Sequence, residues 1–362
     1  MNPPAARQST MPADAVPARL VTILLPCRDE KAYIQACLAS IRQWELAGWD
    51  LEVLVLDGMS TDGTRDLVAE AARLDPRIRL VDNVRRDKPS ALNLGVGLAR
   101  GRYVMRLDAH ATYPADYLAR CLEVAEATGA DNVGGVLDAR VHDTSWQAAV
   151  VQALTTHRFG VGGSAFRTDA AAPRPVDTVP FGFFPATTFL RFGGFDERLI
   201  HSQDYEFNRR ITRGGGQIWL DPRIRVSYFN QHRLWPFYRK VLFRDGPWNP
   251  WMWYVAPYAF RWRHAVPLVF VVAVLIAPFA VAHPLGRAIV LAVAAAYAVA
   301  AIVAAAQQAR RFGRWWLVAA LPPAFLAYHV SYGLGSLAAS LALAVGLAPV
   351  QRTATPAAGG SR

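Results

Sequence analysis

Residues 265–346 are almost free of charge, and they follow a stretch, WNPWMWYVAPYAFRWRH at 248–264, that is packed with aromatics and rich in arginine at its end. An apolar run of that length restricts the chain more than any other feature, because a bilayer accepts it where a soluble core does not. It divides into 265–282 and 288–306, each near the ~20 residues that cross the hydrocarbon, and 315–347, which is too long for one crossing and holds Pro322 and Pro323. The third piece reads as a Pro-kinked span with an interfacial or re-entrant lead-in. Arg261 and Arg263 precede the first span, Arg310, Arg311 and Arg314 separate the second from the third, and the loop HPLGR has one arginine. That bias places the large N-terminal part on the cytoplasmic side.

The remaining boundaries follow from composition. Residues 1–18 are Pro/Ala-rich without an apolar run, so they read as a disordered leader and not as a signal peptide. A folded domain is expected over 19–245, an interfacial aromatic segment over 246–264, about three membrane helices over 265–347, and a disordered tail over 348–362. The net charge of +11 comes mainly from arginine and suits phosphate, diphosphate or an anionic membrane surface. No basic run is interleaved with aromatics in the folded part, which argues against nucleic acid. Cys27, Cys37 and Cys121 form no CxxC pair, so they read as small packing residues in a reducing compartment.

Inside 19–245, short β-rich runs alternate with helical spacing. Strands are expected at 20–25, 51–56, 77–81, 103–107, 132–137, 217–220 and 225–229, with helices between them, including 146–159 and 234–243. The fold class is therefore α/β, a mostly parallel sheet with helices on both faces. Ligands of such sheets sit outside the carboxyl ends of the strands. Three of those ends carry acids: Pro26 to Glu30, Asp57, and the RLDAHATY of 106–113. Asp108 and His110 stand two apart, so strand alternation aims them the same way, and a carboxylate with an imidazole suits a divalent cation that neutralises a diphosphate. The plainer reading of Asp62 is a helix cap, and that of His110 a backbone-bonded turn residue.

VTILLPCRDEKAYI, LEVLVLDGMSTDGT, KPSALNLGVGLARGRYVMRLDAHATYP and GGFDERLIHSQDYEFNRRI, in that order, resemble the family 2 inverting glycosyltransferases. The DAHA variant, Asp177–Thr178 and the C-terminal spans look most like the membrane-anchored succinoglycan-biosynthesis (exopolysaccharide) subgroup. The resemblance implies the GT-A fold, a nucleotide-binding α/β half joined to an acceptor-binding half. It places Pro26, Glu30 and Asp57 about the nucleoside, Lys88 and Asn93 toward the diphosphate, and Asp108 as the first acid of DxD, donor- and metal-binding at once. His110 stands where the family has its second acid, as the other metal ligand, for Mn2+ or Mg2+. Asp204 matches the catalytic base, although its usual Glu neighbour is Gln203 here. Phe181, Gly182, Phe183 and Phe184, with the loop 160–176, are expected along the acceptor's approach. QHRLW at 231–235 has the letters of the processive QxxRW motif in another spacing, so processivity is not implied.

The resemblance also implies the partners: a nucleotide-sugar donor such as UDP-glucose, a polyprenyl-diphosphate-linked saccharide, membrane lipid of the bacterial inner (cytoplasmic) membrane, and other polysaccharide assembly proteins. Bare polyprenyl phosphate is the alternative acceptor. A nucleotidyltransferase would want glycines after the first strand, and LPCRDE has none. A non-catalytic assembly subunit would have lost Asp108 or Asp204, and both are present.

Overall fold

A computed structural model describes residues 19–140, 145–168, 171–229 and 233–347. The expected leader and tail lie outside them. The first half alternates strand and helix: β1 Leu20–Cys27, α1 Ile34–Arg42, β2 Asp50–Asp57, α2 Thr64–Leu74, β3 Ile78–Asp82, α3 Lys88–Leu98 and β4 Tyr103–Arg106. β1, β2, β3 and β4 are parallel neighbours, and β1 and β2 are buried almost throughout because helices cover both faces. α3 starts where the Asp87 carboxylate accepts from Ser90 N–H at 2.9 Å, with Pro89 in its first turn.

The second half is β5 Ala111–Thr112, α4 Tyr117–Thr128, β6 Asn132–Arg140, α5 Trp146–Thr155, α6 Arg158–Val161, β7 Arg174–Pro175, β8 Phe183–Pro185, α7 Ala186–Phe192, α8 Gln203–Arg213 and β9 Ile218–Phe229. Among the described residues the sheet has nine strands and runs β3-β2-β1-β4-β8-β6-β9-β5, with β7 on β9. β8 is antiparallel to both β4 and β6, so the sheet is mixed, a GT-A-like arrangement. One apolar core packs α1 and α4 against the sheet, and a second packs α3, α7 and α8 against its other face.

Several expected elements differ. The two strands at 217–220 and 225–229 are one strand, β9, which follows β6 through a register slip between Gly134 and Val136. At that slip Ile224 O lies so close to Gly135 that any Cβ would clash, and the irregularity tolerates Pro222 within β9. The helix expected over 146–159 ends at Thr155, and His157 then caps α6, its Nδ1 accepting from Phe159 N–H at 3.1 Å. The helix expected over 234–243 is α9 Leu234–Lys240, a π turn Val241–Asp245, and α10 Gly246–Val255 in one unbroken passage. The domain boundary expected at 245 thus falls inside a helical stretch.

Among the described residues three helices are long and apolar enough to cross a membrane: α11 Trp262–Ala280, α12 Pro284–Phe312 and α13 Leu317–Ala344. Pro322 and Pro323 sit inside α13, which runs as one helix from Leu317. Two further cores join these helices to the folded domain. α5 and α9 pack on α12 and α13, and Leu199 packs on α10.

Candidate active site

The expected residues fall into two neighbouring groups. Pro26, Glu30 and Asp57 stand at or just beyond the ends of β1 and β2. Asp57 is fully buried, and its carboxylate accepts from Ser60 N–H at 3.0 Å, Ser60 Oγ at 2.5 Å and Arg65 Nη1 at 2.7 Å. Burial pushes the Asp57 carboxyl up, but Ser60 and Arg65 outweigh it and hold it below its ordinary value. Any ligand group reaching Asp57 has to displace one of these partners. Asp62 accepts from Thr64 N–H at 2.9 Å and Lys31 N–H at 3.0 Å, so it serves the start of α2, as the plainer reading had it.

The second group centres on Arg106, the last residue of β4. Its Nη2 donates to Asp108 Oδ1 at 2.9 Å, and its Nη1 lies 3.7 Å from Asp204 Oδ2. Lys88 Nζ donates to the same Asp108 Oδ1 at 2.6 Å. Two cations thus balance two acids, with Arg106 and Asp108 buried and Lys88 and Asp204 partly exposed. Burial alone would push the Asp108 carboxyl up; Arg106 and Lys88, with His110 beyond them, hold it well below the usual carboxylate range. Asp204 is the second residue of α8, its Oδ1 accepting from Tyr205 N–H at 3.0 Å, and its side chain is 36% exposed. Ser202, not Asp204, is the residue flanking the helix. The neighbouring acids are committed elsewhere: Glu206 is buried on Arg210 and Tyr258, and Asp196 is paired with Arg198.

Three expectations need correction. β4 ends at Arg106, so strand alternation does not govern Asp108 and His110. The His110 ring instead lies between Glu30, with Nδ1 3.0 Å from Oε1, and Tyr228, with Nε2 3.3 Å from the hydroxyl. Asn93 donates to Phe195 O at 2.9 Å and Glu197 Oε1 at 3.0 Å and accepts from Phe195 N–H at 2.7 Å, a clamp between α3 and the 193–197 loop. Of the four residues expected toward the acceptor, Phe183 and Phe184 are fully buried in opposite cores, since successive strand residues face opposite sides. Gly182, at φ +116°, accepts from Arg106 N–H through its carbonyl at 2.9 Å. Phe181 alone of the four lines the cavity described below, with the Arg106 guanidinium 5.3 Å from its ring centre.

That cavity has a volume of about 760 Å³. Lys88, Arg106, Asp108 and Asp204 form part of its wall, and so do Phe270, Tyr297 and Tyr328 of the three long apolar helices. Asp177 pairs with Arg263 at 2.8 Å beside it. Sequence reasoning missed Arg106 and Tyr228. The only signal for Arg106 was its place in a strand, where a charge buried among apolar neighbours needs a partner.

A divalent cation would find few protein ligands here. Among the described residues no three His, Cys, Asp or Glu side chains converge as a ligand set. Both cations on Asp108 take Oδ1, and among the described residues Oδ2 accepts nothing. One carboxylate oxygen facing a cavity fits a cation held jointly with substrate phosphates, the usual arrangement for Mg2+, and not a cation caged by protein alone.

Residues 22–180 match Glycosyl transferase family 2. The chain is 33% identical over 230 residues to the succinoglycan biosynthesis protein ExoA of Rhizobium meliloti (strain 1021), covering 63% of this chain and 68% of that one. It is 26% identical over 231 residues to a Methanococcus voltae dolichyl N-acetyl-alpha-D-glucosaminyl phosphate 3-beta-D-2,3-diacetamido-2,3-dideoxy-beta-D-glucuronosyltransferase, covering 61% and 70%. Among solved structures, the fold matches a mannosyltransferase of Pyrobaculum calidifontis in complex with GDP-Man and Mn2+, with a TM-score of 0.57, 21% identity, and 88% and 87% of the two chains covered.

Proposed function

The chain belongs to the family 2 glycosyltransferases, and on that premise we propose that it moves a hexose from a nucleotide sugar, UDP-glucose or a close relative, to a polyprenyl-diphosphate-linked saccharide in exopolysaccharide biosynthesis. The observation that carries this reading is the cavity whose wall includes both Asp108 with Asp204 and aromatic side chains of the apolar helices. A soluble acceptor has no use for such a continuation; a lipid-linked one does.

In this reading Pro26 and Glu30 hold the nucleoside, Asp57 reaches it only by giving up Ser60 or Arg65, and Lys88 meets the diphosphate. A divalent cation, held by Asp108 together with the diphosphate, would supply charge neutralisation to the leaving group. His110 braces Glu30 and Tyr228, and it could join that cation only by leaving both. Asp204 accepts the proton of the acceptor hydroxyl as its oxygen attacks the anomeric carbon. The bond to the diphosphate breaks in the same displacement, so the anomeric configuration inverts and the nucleoside diphosphate departs with the bonding electrons. Arg106 keeps Asp204 and Asp108 in register. The three apolar helices anchor the enzyme in the bacterial cytoplasmic membrane, with the catalytic domain on the cytoplasmic face.

The test is release of nucleoside diphosphate by full-length protein in lipid nanodiscs, with a panel of donors and three acceptors: a lipid-linked saccharide, bare polyprenyl phosphate, and the free saccharide. UDP release stimulated most by the lipid-linked saccharide is expected. Equal stimulation by the free saccharide would overturn the lipid-linked acceptor, and preference for bare polyprenyl phosphate would make the enzyme a lipid-phosphate monosaccharide synthase.

A further inference from the structure

We propose that Arg167, Lys240 and Arg244 form a second anion site in the cavity, which takes the phosphate or diphosphate joining the acceptor to its lipid. This rests on the lipid-linked acceptor proposed above and assigns residues to it. All three line the same cavity as Asp108. Tyr228 lines the cavity together with both groups.

The site is built by an irregularity in the backbone. Lys240 ends α9 and Arg244 lies in the π turn that follows. Such insertions occur mostly as single turns inside helices, frequently at functional sites. Asp245 is drawn to both cations, 3.8 Å from Lys240 Nζ and 3.2 Å from Arg244 Nε. Among the described residues, Asp245 is the acid paired with Lys240 and Arg244. The Lys240 ammonium is accordingly held below its ordinary value, first by burial and then by Arg244 and Arg167, with Asp245 offsetting only in part. An arriving anion meets cations already gathered on one cavity wall.

The neighbours say which anion. The π turn is seated on α13: Leu242 O approaches Gly335 too closely for any Cβ there, Ser336 Oγ donates to Gly246 O at 2.9 Å, and Phe237 stacks on Tyr328 at 5.9 Å. The cations therefore sit where the charged domain meets the apolar helices. Arginine forks with a lysine suit phosphate oxygens, and the aromatic wall beyond them suits an isoprenoid chain. The donor's own diphosphate is served by Lys88 and Asp108, so a second phosphate-reading group implies a second phosphate.

The experiment uses the full chain in nanodiscs and measures binding of polyprenyl diphosphate, inorganic pyrophosphate and UDP, together with KM for the lipid-linked acceptor. The variants are Lys240→Gln/Arg244→Gln, Arg167→Gln from a separate segment, and Arg244→Lys. Polyprenyl diphosphate affinity and acceptor KM should both worsen by about tenfold or more in the two neutral variants, the scale of a lost charged hydrogen bond. Arg244→Lys should recover part of the loss, while UDP affinity, which reports folding, should hold. Unchanged polyprenyl diphosphate binding in both neutral variants would overturn the site, as would an equal loss of UDP binding. Pyrophosphate binding as tight as the lipid would overturn the lipid assignment. If the wild type uses the lipid-linked acceptor and the variants match it, the subsite alone falls; if the wild type binds no polyprenyl diphosphate and glycosylates free saccharide, the acceptor reading falls first.

Discussion

Arg106 joins the two acids on which the proposed chemistry rests. Its guanidinium reaches Asp108 and Asp204, proposed above for the donor and the acceptor, and its buried Nε has no partner among the described residues. It is held from the other side by Phe181, a residue at φ +63°, a conformation that costs energy outside glycine and clusters at functional sites. If Asp204 is the base, Asp204→Asn should lower turnover by at least about a hundredfold while UDP affinity survives. A merely capping Asp204 would cost roughly 1 kcal/mol of stability and leave turnover per folded molecule intact, so turnover, melting temperature and UDP binding on one preparation separate the roles. Chelation should abolish UDP release and added Mn2+ or Mg2+ restore it; full activity in chelator would remove the cation from the reaction. His201 in the cavity wall provides a pH test. Burial, then Arg244, with Lys88 and Lys240 adding and Asp245 opposing, pushes its imidazole from 6.5 down to about 4. As pH falls below 6.5 the unfolded chain takes up this proton and the folded chain does not until about 4. Stability should therefore decline across that window and be unaffected by His201 above it. His201→Gln should flatten the fall in melting temperature there, and an unchanged slope would mean other groups govern it.

At the scale of elements, periodicity carried the reading well where burial is two-sided or one-faced. β1, β2 and β3, with the acidic ends of β1 and β2, were legible because a run such as LEVLVLD can hardly be anything else between two helices. What periodicity could not carry was contact between distant segments. Nothing in FGFF says that β8 enters the sheet antiparallel between β4 and β6 and sends Phe183 and Phe184 into opposite cores. Nor does LNLG say that the Asn93 amide is spent on residues a hundred positions away. The π turn is invisible for the same reason, since it is dictated by the approach of α13. Two glycines of α3 turn this distinction into a measurement. A Cβ at Gly95 would stand 2.7 Å from Leu24 Cδ2 and 2.8 Å from a Leu56 methyl, whereas Gly97 is exposed and a Cβ there meets nothing within 4 Å. Gly95→Ala should destabilise by about 1–3 kcal/mol through overpacking, and Gly97→Ala should stabilise by roughly 0.5–1 kcal/mol through helix propensity. Thermal unfolding of the pair checks both signs, and equal shifts would mean that α3 does not pack on β1 and β2 as described.

For the whole molecule, the apolar helices form one wall of the cavity as well as being candidate anchors. Gln308 of α12 donates to Thr156 Oγ1 at 3.0 Å, and His329 of α13 lies 2.9 Å through Nε2 from Phe159 O, so the segment after α5 is tied to two of the three helices. The arginine-rich turn Arg310, Arg311 and Arg314 sits at that same junction, with Arg311 Nη1 3.4 Å from Thr156 O. The folded domain therefore touches the end of α12 that the charge bias assigns to the cytoplasm. If α11, α12 and α13 each cross once, three crossings carry the chain from a cytoplasmic domain to the opposite face. A reporter fused after Arg362 should then give alkaline phosphatase activity and no cytoplasmic fluorescence, while a reporter inserted in the turn around Gly313 should give the reverse. Cytoplasmic signal from both fusions would mean that one helix lies along the surface, and α13 would be the one. Its α9 and α10 contacts run from Tyr238 on Ala324 to Gly246 on Ser336, and Leu343 packs on the α10 core, so most of its length is already covered by protein on one side. That outcome would leave the cavity intact but turn its aromatic wall parallel to the membrane, so the acceptor's chain would enter from the interface.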